Sequence, residues 1–265
     1  GGGGALVAPP SPRRILPVPT KKKVEKFAQA SMEMIMYALF FYFGYKVYLP
    51  QPWVWPSSMW WAGFPELHHD MDPDYKFFYI LYAGRYAAGY VSVWCEHKRK
   101  DFVEMQVHHS VTVVLVLASY SSSYNRVGGA VMFLLDCADP PLHVAKQFKY
   151  MSTDKKDWPQ FMADRWFEIF AVCFIISRNF LYPYCCWSAL IESKRHLTPG
   201  LDWRICNALL QVLLVLQFYW TSLIFIAVYK QMKNGGIEDI RSDDEDEEEQ
   251  ELQRKVARKK GEKEE

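Results

Sequence analysis

The chain has 265 residues, half of them hydrophobic and 16% aromatic, with a formal charge of +1. That length allows one or two soluble domains or a compact membrane domain, and the balanced charge gives no reason to expect a nucleic-acid partner. Six cysteines without a CxxC pair or zinc spacing argue against a metal cluster, and the neighbours Cys185 and Cys186 are poorly placed to bond each other.

Residues 1–20 hold many Gly and Pro and no apolar signal core, and read as a linker. Residues 21–235 follow as one apolar domain. Six stretches approach the ~20 residues that a bilayer core requires: 27–49, 74–96, 105–122, 127–148, 163–184 and 205–229. The last carries no charge; several others do, and a charge inside a span marks a cavity or a partner helix. The predicted fold is therefore an all-α, six-span membrane bundle around a cavity. Residues 238–251 hold 10 of the 30 acids and 252–260 are basic, so 236–265 read as a disordered tail that pulls the mean hydropathy down to −0.15.

Loop charges predict orientation. Lys21–Lys23 precede the first stretch, Lys98, Arg99 and Lys100 follow the second, Lys149, Lys155 and Lys156 follow the fourth, and Lys230 and Lys233 follow the sixth. Residues 50–73 contain no Lys or Arg, 121–126 only Arg126, and 185–204 only Lys194, Arg195 and Arg204. The positive-inside rule then places both chain ends in the cytosol and the Trp-rich loop PQPWVWPSSMWW on the far side.

The polar residues inside these stretches carry the chemistry. His108 and His109 open the third stretch, and adjacent helical residues point about 100° apart. One ring is thus expected in a cavity and the other against a neighbouring helix. Asp136 and Asp139, three apart, are expected on one helix face. Pro140 and Pro141 remove amide donors and predict a kink there. The third and fourth stretches are antiparallel neighbours, so the two imidazoles and two carboxylates are expected to meet, each carboxylate orienting a ring. Such a cluster points to acid–base or nucleophilic chemistry, against the plainer alternative of an ion pair joining two helices. His143 either joins it or reaches toward the cytosol. Arg126 either binds a headgroup or marks the membrane edge, and His68-His69-Asp70 read as an exposed polar turn.

HHSVTVVLVLASYSSSYNRVG followed by LLDCADPPLHVAK resembles the signature of the ceramide synthases, within the TLC-domain family. KRKDFVEM, PWVWP, DRWFEIFAVCFIISR and RSDDEDEEE are similar as well, so the likeness covers about residues 21–250. Leu135 stands where many animal members have His, His143 replaces a common Glu, and the usual amino-terminal span is missing, as in a fragment. The resemblance implies N-acylation of a sphingoid base by fatty acyl-CoA in the endoplasmic reticulum membrane, without metal or redox cofactor because the thioester is already activated. It places the essential groups on His108, His109, Asp136 and Asp139, with His108 either taking the acyl group or accepting the amine proton. Arg126, His143 and Lys146 are expected substrate contacts. Ser242, directly before the acidic run 243–246, is in its own context either a regulatory phosphosite of an acid-directed kinase or part of a merely solubilising tail. The loop of about residues 186–200 is expected to select acyl length; a homo- or hetero-dimer stays open. Two alternatives compete: a non-catalytic lipid-binding or translocation-associated TLC protein, which should lack the His and Asp pairs, and an elongase-like HxxHH enzyme, excluded by Met105 at the first His.

Overall fold

The computed structural model describes residues 21–95, 101–152 and 157–234, which are helical throughout apart from their turns. The linker 1–20, Lys98-Arg99-Lys100, Lys155, Lys156 and the tail with Ser242 lie outside the described residues. The helices are α1 (Lys21–Val47), α2 (Pro73–Cys95), α3 (Phe102–Ser121), α4 (Asn125–Asp136), α5 (Asp139–Met151), α6 (Trp158–Phe174), α7 (Tyr182–Leu190) and α8 (Leu201–Asn234). A π-helical stretch, Ile175–Leu181, joins α6 to α7. Three helical segments are long and apolar enough to cross a bilayer: Phe102–Ser121, Trp158–Arg195 and Leu201–Lys233. Ile169, Val172, Ile176, Phe180, Val215 and Phe225 are exposed on the last two, an apolar surface of the kind lipid covers.

Local chemistry sets the helix ends. Asp72 accepts from the amides of Asp74 and Tyr75, with Pro73 at the first helical position of α2. Asp157 caps α6 by accepting from the Gln160 amide at 2.8 Å. The fourth stretch breaks as its prolines predict: α4 stops at Asp136, Cys137 and Ala138 form a turn, and α5 restarts with Pro140 and Pro141 in its first turn. Proline has no N–H to continue the α4 ladder, and Pro is tolerated where a helix begins. The break falls between Asp136 and Asp139, and each carboxylate bonds to a different arginine.

α2 packs on α3, α3 on α8, and α5 lies between α1 and α6. Two apolar clusters result. One gathers Tyr75, Phe78, Tyr79 and Tyr82 of α2 with α3, α4, α7 and the first half of α8; the other joins Phe167, Phe170 and Phe174 of α6 to Trp220 and Ile224 of α8. Gly128 and Gly129 make the first cluster possible. A Cβ at Gly128 would collide with the Tyr79 hydroxyl, and one at Gly129 with that of Tyr75. These hydroxyls are satisfied instead, Tyr75 donating to the Asn125 carbonyl at 2.6 Å and Tyr79 pairing with Ser119 at 2.7 Å.

The Trp-rich loop is fastened rather than free. Arg126 donates to the carbonyls of Met59, Ala62 and Leu67. Ser57 and Ser188 both donate to Glu192, and Trp61 donates to Ser188. His68 corrects the expectation of an exposed turn: it is buried, with one ring nitrogen 3.0 Å from the Ser123 carbonyl and the other 3.3 Å from that of Ala62. Ser123, at φ 62°, also pairs through its hydroxyl with His69. Burial, then the positive Arg126 beside it and the neighbouring His69, hold His68 below the usual histidine range despite its two carbonyls. The unfolded chain therefore takes up a proton near about 6.5 that the folded loop refuses. Stability from His68 is full above that pH and is lost as pH falls below it. Hydrogen exchange across residues 50–72 is expected to accelerate on acidification from pH ~7 to ~5.5; a pH-independent profile would contradict this.

Candidate active site

A cavity of about 810 Å³ opens among the first half of α1, the end of α2, the start of α3, α5, the second half of α6 and the end of α8. His108 and His109 line it together, their ring centroids 5.6 Å apart. His108 is buried and packs edge-on against Trp220 at 5.3 Å and Tyr86 at 5.8 Å. His109, half-buried, meets Tyr86 at 5.6 Å and faces Gly89 of α2. A Cβ at Gly89 would sit 2.9 Å from the His109 ring, so the missing side chain gives the imidazole its place. One reading thus covers both expectations: each ring reaches the cavity, and His109 also braces on a neighbouring helix.

The carboxylates are paired with arginines and not with the imidazoles. Arg85 donates to Asp136 at 2.8 Å, and Tyr82 adds a bond at 3.2 Å. The Arg85 guanidinium lies among Tyr37, Phe40, Tyr86 and Tyr82 at 4.1, 4.7, 5.4 and 5.6 Å, a setting in which the ring faces add to the ion pair. Arg178, from the π-helical stretch, donates to Asp139 at 2.9 Å and to the Leu135 carbonyl. That carbonyl is one of those freed where α4 ends, so Arg178 caps the break while it neutralises Asp139. The Nδ1 atoms of His108 and His109 have no hydrogen-bond partner among the described residues. The expected carboxylate–imidazole pairing is therefore replaced by two buried Arg–Asp bridges bordering an unpartnered pair of rings. Arg85 reaches Asp136 from α2, and Arg178 reaches Asp139 from the π-helical stretch.

His143 and Lys146 line the same cavity; His143 stacks on Tyr37 at 4.8 Å and lies 3.0 Å from the Glu33 carboxylate. Asp139 lines it and Asp136 does not. Arg126 is absent from its walls, being committed to loop carbonyls. In this structure Arg126 clamps the loop.

Residues 26–226 match the TLC domain family that also covers the TRAM, LAG1 and CLN8 proteins. The chain belongs to the TLC-domain family. Ceramide synthase 4 of Bos taurus is 32% identical over 221 residues, 83% of this chain and 54% of that protein. Ceramide synthase LOH2 of Arabidopsis thaliana is 30% identical over 246 residues, 89% of this chain and 80% of that protein. Ceramide synthase 5 of Mus musculus is 30% identical over 222 residues, 82% of this chain and 51% of that protein. The chain thus spans about half the length of the animal relatives it matches.

Within this TLC domain, Arg85, Arg178, Gly89 and Trp220 are site residues that motif reading passed over. Two of them left a signal. Arg85 and Arg178 are charges in the interior of otherwise apolar stretches, where an unpaired cation is costly and a carboxylate partner must be sought. Nothing in the sequence distinguishes Gly89 from the other glycines, because its role depends on a ring from another helix.

Proposed function

We propose that this chain is the catalytic domain of a ceramide synthase, transferring a fatty acyl group from acyl-CoA to the 2-amino group of a sphingoid base. The observation that carries the reading is the His108–His109 pair, two imidazoles whose Nδ1 atoms have no hydrogen-bond partner among the described residues, in a cavity that also holds rings, alkyl side chains and the polar groups of Asp139, His143 and Lys146. Similarity to ceramide synthases from animals and a plant supports it. We read α1, α2, α3, α4–α5, α6–α7 and α8 as six spans of an endoplasmic reticulum protein with both ends cytosolic. The cavity then opens toward the cytosol, where soluble acyl-CoA arrives, and Lys146 and Lys149 on its wall suit phosphate groups.

In the reaction a C–N bond forms and a C–S bond breaks. The amine loses a proton, and the departing CoA thiolate gains one. An imidazole serves in either of two ways: it takes the proton from the amine, or it takes the acyl group first and passes it on. With no carboxylate fixing Nδ1, neither nitrogen of His108 is reserved, and the ring can serve in both capacities. The sphingoid base and acyl-CoA are substrates, so the chemistry draws on no resident cofactor. The non-catalytic alternative has no observation in its favour.

The test is purified protein in lipid nanodiscs with sphinganine and a panel of acyl-CoA lengths, products read by mass spectrometry. Dihydroceramide from at least one length is expected. A folded sample that leaves every acyl-CoA and the base unconsumed would refute the assignment.

A further inference from the structure

A second cavity, of about 40 Å³, lies toward the other end of the bundle. Leu115 and Val116 of α3, Val131 of α4, and Leu210 and Leu213 of α8 are among its apolar walls. One residue, Leu135, lines both cavities, and it is itself buried. The two spaces are also aligned along α3. His108 lines the first, while Thr112, Val116 and Ser119 line the second. These four positions are spaced by four, four and three residues, so they form one stripe about 16 Å long. On α2 the relation repeats: Tyr82 borders the smaller space and stacks at 4.9 Å on Tyr86, which borders the larger.

We propose that an alkyl chain with its reactive end beside His108 runs along this stripe of α3 past Leu135, and that the size of residue 135 decides how long a chain is admitted. The proposal rests on the acyl-transfer reading above and adds a specificity residue to it. An apolar passage suits methylenes and rejects polar groups; each methylene that finds apolar walls tightens binding about fourfold. A wall that is too close reverses the gain. Arg178 holds the Leu135 carbonyl, so the backbone at the threshold is anchored and its side chain is the element that sets the width. Of the residues from 186 to 200, Ala189 lines the smaller cavity, and 191–200 line neither space.

The test compares wild type with Leu135→Ala, Leu135→Phe and Val116→Phe in the acyl-CoA panel with sphinganine. Leu135→Ala is expected to move the preferred acyl length upward by about two carbons, in keeping with the volume it removes. Leu135→Phe should lose the longest substrates by roughly tenfold or more while keeping the shortest, as overpacking does. Val116→Phe, farther along the stripe, should impose a cut-off at a longer chain than Leu135→Phe. Identical length profiles in folded variants, or cut-offs in the reverse order, would overturn the proposal. A second readout needs no turnover: a fatty acyl-CoA with a terminal diazirine is photolysed on the protein, and the adduct is mapped by mass spectrometry. Labelling around Leu210 and Leu213, abolished by Leu135→Phe, supports the path; labelling confined to walls of the larger cavity refutes it. Ceramide formation with unchanged profiles would sink the threshold and leave the function standing. Terminal labelling at Leu210 without any ceramide formation would do the opposite.

Discussion

His108→Ala is expected to lower N-acylation by about 100-fold or more, with only a small change in thermal unfolding. The size follows from what an imidazole supplies in such a step, since a positioned proton acceptor alone contributes about 100- to 10,000-fold. Stability should be little affected because the Nδ1 of His108 has no partner among the described residues to be stranded. Removing the ring costs its packing against Tyr86 and Trp220, about 1 kcal/mol in the usual range for such changes. His109→Ala should behave differently, since its ring lies against Gly89 and is more exposed. Incubating each variant with acyl-CoA in the absence of sphingoid base, then weighing the intact protein, separates the two uses of the imidazole. An acyl adduct lost only in His108→Ala marks covalent catalysis; no adduct in an active wild type marks proton transfer. Near-normal turnover by folded His108→Ala would remove this residue from the chemistry.

Much of the domain is written locally. The helix break at 137–138 follows from two prolines, the start of α2 from Asp72-Pro73, and the start of α6 from an Asp side chain aimed at its own first turn. The gathering of His108, His109 and Asp139 around one cavity was also legible, because helices joined by short connections must lie side by side; His143, left open between cluster and cytosol, lines it too. Partner choice was not legible. The sequence brought Asp136 and Asp139 to the imidazoles, and the fold gives each carboxylate a different arginine. Arg126 shows the same limit: a cation at a helix start has a clear affinity for anions, yet here three carbonyls of a loop more than fifty residues away accept its hydrogen bonds. Such long-range pairings depend on which loop folds back, which no window of sequence contains.

The second large effect concerns Asp136. Read from the sequence alone, Asp136→Ala should abolish activity and spare the fold. The structure reverses the second half of that expectation. Asp136 is 2% exposed and neutralises Arg85, whose guanidinium is enclosed by four aromatic rings. Removing the carboxylate strands a buried cation, which typically costs about 3–5 kcal/mol. Asp136→Ala should therefore unfold at a clearly lower temperature in nanodiscs, and Arg85→Ala should do the same by stranding the anion. The double change Arg85→Met with Asp136→Leu replaces both charges by apolar side chains and should recover most of the lost stability, since the penalty belongs to the unpaired charge and not to the pair. Activity supplies the contrast. Asp139 lines the cavity and Asp136 does not, so Asp139→Asn, which keeps an oxygen for Arg178 but loses the charge, should lower turnover per folded molecule beyond any loss of stability, whereas activity lost in Asp136→Ala should track the folded fraction. Asp136→Ala with wild-type unfolding and no turnover would mean that this carboxylate acts on the substrate directly, and that the bridge to Arg85 is not its main task.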